Sequence, residues 1–78
     1  MNTFKVIDTE VKGEVVINLN TQYNNLKADQ VTVTENVTAR IYGTIEGNVI
    51  LKKGSRLHLH GVIRGKAINE GGEVYLYK

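Results

Sequence analysis

VTVTENVTARIYGTIEGN (residues 31–48) runs straight into VILKKGSRLHLHGVIRGK (residues 49–66), and the two lie over one another at a period of eighteen. Val31 falls on Val49, Val33 on Leu51, Asn36 on Gly54, Ala39 on Leu57 and Ile41 on Leu59. Further on, Gly43 meets Gly61, Ile45 meets Ile63 and Gly47 meets Gly65. A third copy follows after a slip of one residue, with Ile68 continuing Leu51, Gly71 continuing Gly54, Val74 continuing Leu57 and Leu76 continuing Leu59. Self-similarity at a fixed period marks a solenoid, in which each repeat buries its face only against its neighbours.

Inside each copy the apolar residues alternate instead of recurring every three or four positions. Val31/Val33, Ala39/Ile41, Val49/Leu51, Leu57/Leu59 and Val74/Leu76 are period-two pairs, the pattern of strands with one buried face. Glycine interrupts each copy every four to seven positions, which would not hold a helix. The glycines at 43, 47, 54, 61, 65 and 71 mark corners, and Asn36 in register with Gly54 fits, because asparagine tolerates the left-handed conformation. There is no proline, so every backbone N–H remains available for ladders between coils. The expected fold is all-β: a short parallel β-helix of about four coils, three short strands to a coil, with a repeat of about 18 residues. Residues 1–78 make one domain. Its parts are 1–12 as an edge strand or cap, 13–30 as a degenerate first coil, and 31–48, 49–65 and 66–78 as repeats.

A chain of 78 residues buries only about 60% of its unfolded surface, so it needs a very regular core, a partner chain, or both. No cysteine is present, which removes disulfides and thiolate zinc sites and fits a reducing compartment. No apolar run approaches a membrane span, and MNTFKVIDTEVKG lacks the basic-then-apolar plan of a signal peptide, so a cytoplasmic location is expected. The net charge of +2 is spread over mixed acids and bases, which argues against nucleic acid as a partner.

Gly43-Thr44-Ile45-Glu46-Gly47 and Gly61-Val62-Ile63-Arg64-Gly65 share a G-x-I-x-G arrangement set among alternating aliphatics. Over residues 31–78 this pattern resembles the bactofilin family of polymer-forming cytoskeletal proteins. The resemblance implies a β-helical core and self-association. The chain has about four coils where bactofilins have more, and it lacks their flanking tails, departures that argue against long filaments. The hexapeptide-repeat acyltransferases fit less well, because one apolar residue in six does not explain Leu57/Leu59 or Val74/Leu76.

Once Leu57 and Leu59 point inwards, His58 and His60 must point out. Stacking of copies then sets Arg40, His58 and Tyr75 in one external column and Tyr42, His60 and Tyr77 in a second beside it. Such a face is either a local stabilising ladder or a protein-binding patch, since aromatics and arginine are enriched at interface hot spots. Two histidines at i, i+2 could share a metal, but no carboxylate joins them and no metal site is expected. On another face Glu46 lies beside Arg64, and Lys52, Lys53, Arg56, Arg64 and Lys66 make the middle copy basic, as a solvated face.

No His–acid–nucleophile spacing, paired acids on one strand or phosphate-type glycine loop occurs, so neither catalysis nor a cofactor is expected. A solenoid ends in open strands unless something covers them, and the last strand, with Val74 and Leu76, carries no blunting charge run or proline. The first functional expectation is therefore a self-associating scaffold or interaction module that joins through its coil ends. The second is a small soluble protein that neutralises one protein partner, of the immunity or antitoxin type, using the Tyr/His face.

Overall fold

Period-two alternation becomes three parallel ladders in the computed structural model, which describes residues 4–77. Eight strands follow in order: β1 (Lys5–Ile7), β2 (Val11–Ile17), β3 (Thr21–Val33), β4 (Thr38–Ile45), β5 (Val49–Leu51), β6 (Arg56–Ile63), β7 (Ala67–Asn69) and β8 (Glu73–Tyr77). Every pairing is parallel, and the described residues contain no helix, hence none long and apolar enough to cross a membrane. The long strands bend at corners, so one strand serves two or three faces of a β-solenoid.

The registers separate those faces. On the first, β1, the start of β3 (21–23), β4 (39–41), β6 (57–59) and β8 lie side by side. On the second lie 11–13, 26–28, 43–45 and 61–63. On the third lie 15–17, 31–33, 49–51 and 67–69. The faces thus hold five, four and four strand segments: four full coils and the opening strand of a fifth.

The core is a set of columns that compensate one another in volume. On the second face one inward column runs Val11, Leu26, Gly43, Gly61 while its companion runs Gly13, Ala28, Ile45, Ile63. Where one shrinks the other grows, so each level of this face carries one large aliphatic. Leu26, Ala28, Ile41, Ile45, Leu51, Leu57 and Leu59 are wholly buried, and burial of each large aliphatic is worth about 1.5–3 kcal/mol. Gly61 cannot be anything larger, because a Cβ there would lie 1.8 Å from the carbonyl oxygen of Gly43. At the left-handed corner Asn36 (φ 61°), Gly54 (φ 74°) and Gly71 (φ 107°) follow one another, as the alignment of Asn36 with Gly54 requires.

Two details of the alignment need correction. Ile68 pairs with Ile50, not Leu51, and faces out; Asn69 takes the place under Leu51. The one-residue slip falls later, between Asn69 and Glu73, where the Asn69 side chain accepts from the backbone N–H of Gly71 (2.9 Å) and Gly72 (2.6 Å). That turn is self-satisfied by the asparagine amide, so it absorbs the missing residue. The first coil, moreover, runs from Lys5 to Ile17 instead of occupying 13–30, and residues 66–69 close the fourth coil instead of opening another. Of residues 1–12, positions 5–7 form an edge strand and 11–12 begin β2, while 1–3 lie outside the described residues.

Candidate interaction surfaces

The first face presents its outward side chains in two columns, because alternate residues of a strand leave on opposite sides. One column reads Val6, Gln22, Arg40, His58, Tyr75. The other brings Tyr42, His60 and Tyr77 together. All six side chains expected on this face therefore meet there, and the fourth tyrosine, Tyr23, is in the core. Burial raises the phenol pKa of Tyr23.

The rings stack nearly parallel to their neighbours. Tyr42 stacks on His60 with centroids 4.4 Å apart and planes 14° off, and His60 stacks on Tyr77 at 4.4 Å and 10°. His58 stacks on Tyr75 at 4.8 Å and 11°. The columns are tied across, since His58 Nδ1 lies 2.9 Å from the Tyr77 hydroxyl. Partial burial, then the nearby positive charges of Arg40, His60 and Arg56, lower the pKa of His58. A neutral ring whose Nδ1 accepts from Tyr77 suits that environment.

Further groups complete the face. Arg40 donates to Gln22 Oε1 at 3.2 Å and lies 5.1 Å from the Phe4 ring centroid, a cation–π distance. Gln22 donates to Asn24 at 2.9 Å, and Asn24 donates to Asp8. At the other margin the Tyr75 hydroxyl donates to Glu73 at 2.7 Å, and this bond, followed by burial, raises the Tyr75 pKa. Sequence reasoning passed over Glu73, although it shares the parity of Tyr75 and Tyr77. It missed Gln22 and Asn24 because the first coil was placed out of phase. The carboxylate of Glu73 binds a phenol at the rim and Arg56 at 3.4 Å, and among the described residues no three His, Cys, Asp or Glu side chains gather as metal ligands would. The face offers flat ring area, imidazole and hydroxyl edges, and the guanidiniums of Arg40 and Arg56.

The C-terminal end of the solenoid is the other candidate. Val74 and Leu76 continue the inward columns of Leu57 and Leu59, yet Val74 is only half-buried and Leu76 is 67% exposed. Beside them Ile63 is half-buried and Ala67 exposed. The described residues place nothing over this end, so β8, β7 and the end of β6 each present an unpaired backbone edge.

The remaining surface is occupied by ion pairs between coils. Arg64 meets Glu46 at 3.2 Å, and Lys52 meets Glu70 at 2.9 Å. Exposed pairs of this kind contribute about 0–1 kcal/mol each, so they solvate the faces more than they stabilise them. A cavity of 330 Å³ runs along the left-handed corner between Glu35, Asn36, Lys53 and Gly54, away from both surfaces. Comparison with known proteins gives no match, whether to a protein-family model, a curated sequence or a solved structure.

Proposed function

We propose that this protein is a non-catalytic, self-associating β-helical scaffold that works in the cytoplasm and joins copies through the ends of its coil. One observation carries the reading: Leu76, a residue in a core column, is 67% exposed beside unpaired strand edges. An end of that kind is a template for another chain. Kinship of form with the bactofilins is part of the same proposal, supported by the G-x-I-x-G corners on the second face. The absence of a catalytic role is supported by the acids, since Glu10, Glu46, Glu70 and Glu73 are engaged in ion pairs on open surface.

Light scattering over a concentration series tests this. The expected result is a mass above that of the monomer, falling to the monomer for Leu76→Lys with an unchanged β-type circular dichroism spectrum. A wild-type chain that stays monomeric up to millimolar concentration would overturn the proposal.

A second reading has its own observation. The Tyr/His face is stacked and cross-bonded before any partner arrives, so little ordering entropy would be lost on docking. Under this reading the protein binds and neutralises one protein partner through Arg40, Tyr42, His58, His60, Tyr75 and Tyr77. Tyr42→Ala with Tyr77→Ala would then abolish co-purification of a single stoichiometric partner that Leu76→Lys still retains.

A further inference from the structure

Three unpaired edges at three heights decide what can cover the C-terminal end. We infer that, on the self-associating reading above, the occupant is the C-terminal end of a second copy. A two-fold axis through β7 relates the pair, and the dimer is closed.

The backbone admits this arrangement. The chain enters and leaves on the first face, so its C-terminal end is a staircase. With about 4.8 Å to a coil, β7 lies about 1.6 Å below β8, and 61–63 about 3.2 Å below β8. A two-fold perpendicular to the solenoid, through the middle of β7, lays β7 on its own copy. The same rotation lays β8 of each chain on 61–63 of the other. The heights of β8 and 61–63 average to that of β7, so the three gaps are equal. All three edges then pair, antiparallel. A two-fold through either other face leaves gaps that differ by about 4.8 Å, one strand. A head-to-tail stack can match the steps as well, so the side chains make the choice.

They choose against the N-terminal end. Lys5 heads the inward column of Thr21, Ala39, Leu57 and Val74, and an inward charge blunts an edge against pairing. Val15 and Ile17 are already buried there, and the exposed Val6 and Val16 stand on outward positions. At the C-terminal end the inward positions are Gly61, Ile63, Ala67, Asn69, Val74 and Leu76, with no charge among them. The Asn69 amide is satisfied within its own turn, so covering it strands no polar group.

The two-fold register is complementary in volume and in charge. With 74–76 antiparallel to 61–63 of the second copy, Leu76 faces Gly61 and Val74 faces Ile63. The most exposed large aliphatic thus meets the inward position that has no side chain. Outward, Ile68 meets Ile68 on the axis. The same registers, continued by one residue or two, set Arg64 opposite Glu73 and Lys66 opposite Glu70, each twice by symmetry. Within a chain Arg64 already binds Glu46, Glu73 binds Arg56 and Glu70 binds Lys52, so charge alternates across the junction. An isologous contact closes on itself, and association stops at two copies.

Cysteine substitution tests the axis in a chain that has no cysteine of its own. Directly opposed residues of antiparallel strands have Cα atoms about 4.5–5.5 Å apart, within disulfide reach. Oxidised Ile68→Cys is expected to run as a covalent dimer on a denaturing gel, and Val6→Cys, at the other end, as a monomer. Light scattering supplies the second measurement, and the wild-type mass is expected to level off at two copies. Lys66→Glu, which sets like charges opposite one another twice, is expected to weaken the dimer roughly tenfold. Lys66→Glu/Glu70→Lys is expected to restore it. A mass that climbs past two copies, an associating Ile68→Cys chain that does not cross-link, or a double variant as weak as the single one would overturn the two-fold arrangement while leaving self-association standing. A monomeric wild type would remove both.

Discussion

The two ends of this solenoid are built from the same kind of column and finish differently. At the N-terminal end Ile17 is 1% exposed and Val15 8%, while Ile7 and Val11, like Ile63 and Val74 at the other end, are partly buried against the core. At the C-terminal end the corresponding columns finish in Val74, Leu76, Ile63, Ala67 and Asn69, none of which is buried. Coil length differs between the ends as well. The first coil lies only 15 or 16 residues from the second in register, whereas later coils are spaced by 17 or 18. The first coil therefore has fewer residues in its corners than the later ones. In the last coil Gly61, Ala67 and Asn69 supply little apolar bulk. One end buries Val15 and Ile17, and the other exposes Ala67 and Asn69 in the same two columns.

Truncation of the inward aliphatic at each end should give the largest contrast. Ile17→Ala is expected to lower unfolding free energy by about 2–5 kcal/mol, the transfer and cavity cost of a buried isoleucine. Leu76→Ala should change the unfolding of the dilute monomer by about 0.5 kcal/mol or less, as for a surface substitution. Urea titrations of both variants below the association concentration supply the values. Equal losses would mean that the C-terminal end is covered in solution even in the monomer, and the contrast between ends would fail.

A smaller effect separates openness from tolerance. Gly61 is exposed at the open end, and Val11 stands at the other end of the same column. Exposure alone would make Gly61 the more replaceable of the two. Gly61→Ala is nevertheless expected to cost about 1–3 kcal/mol, because the added Cβ strikes backbone of the coil below and the residue has φ 157°. Val11→Ala removes two methyl groups from a half-buried site and should cost about 1 kcal/mol. Thermal melts that rank the pair the other way would show that the terminal coil shifts freely over its neighbour.

The columns were legible in the sequence because a solenoid converts sequence separation directly into vertical stacking. Arg40, His58 and Tyr75 could be set in line, as could Tyr42, His60 and Tyr77, from the period alone. The failures have a common cause, which is that the period varies. Aligning Ile68 with Leu51 matches apolar to apolar, but the chain keeps its spacing of eighteen through Asn69 and drops a residue only in the following turn. Hydrophobic matching cannot see that, since the deciding interactions are hydrogen bonds from Gly71 and Gly72 to the Asn69 amide. The first coil escaped for a related reason: its shorter spacing defeats a template of eighteen, and Gln22, Asn24 and Asp8 were lost from the lateral face with it. Burial of Val15 and Ile17 in the first coil was equally hidden, because the same alternation of apolar residues occurs at both ends.

Acidification should distinguish the ends by the weakest of these effects. The pKa of His58 lies below its ordinary value in the folded chain, first because the ring is partly buried and then because Arg40, His60 and Arg56 oppose a further charge. A histidine with a depressed folded pKa favours the fold while neutral. Its contribution is complete above the unfolded value of about 6.5 and is lost as pH falls from there through the folded value. Protonation also removes Nδ1 as an acceptor for the Tyr77 hydroxyl, the bond that ties β6 to β8. Toward the first coil the same outward column holds Gln22 and Val6, which do not titrate. Between pH 7.5 and 5.5, amide exchange at 74–77 should therefore quicken relative to 21–23 beyond the intrinsic pH dependence, and His58→Gln should remove the difference. A parallel change at both ends would indicate that the ladder shares its load with the whole coil, and that the C-terminal end is less independent than its exposed core suggests.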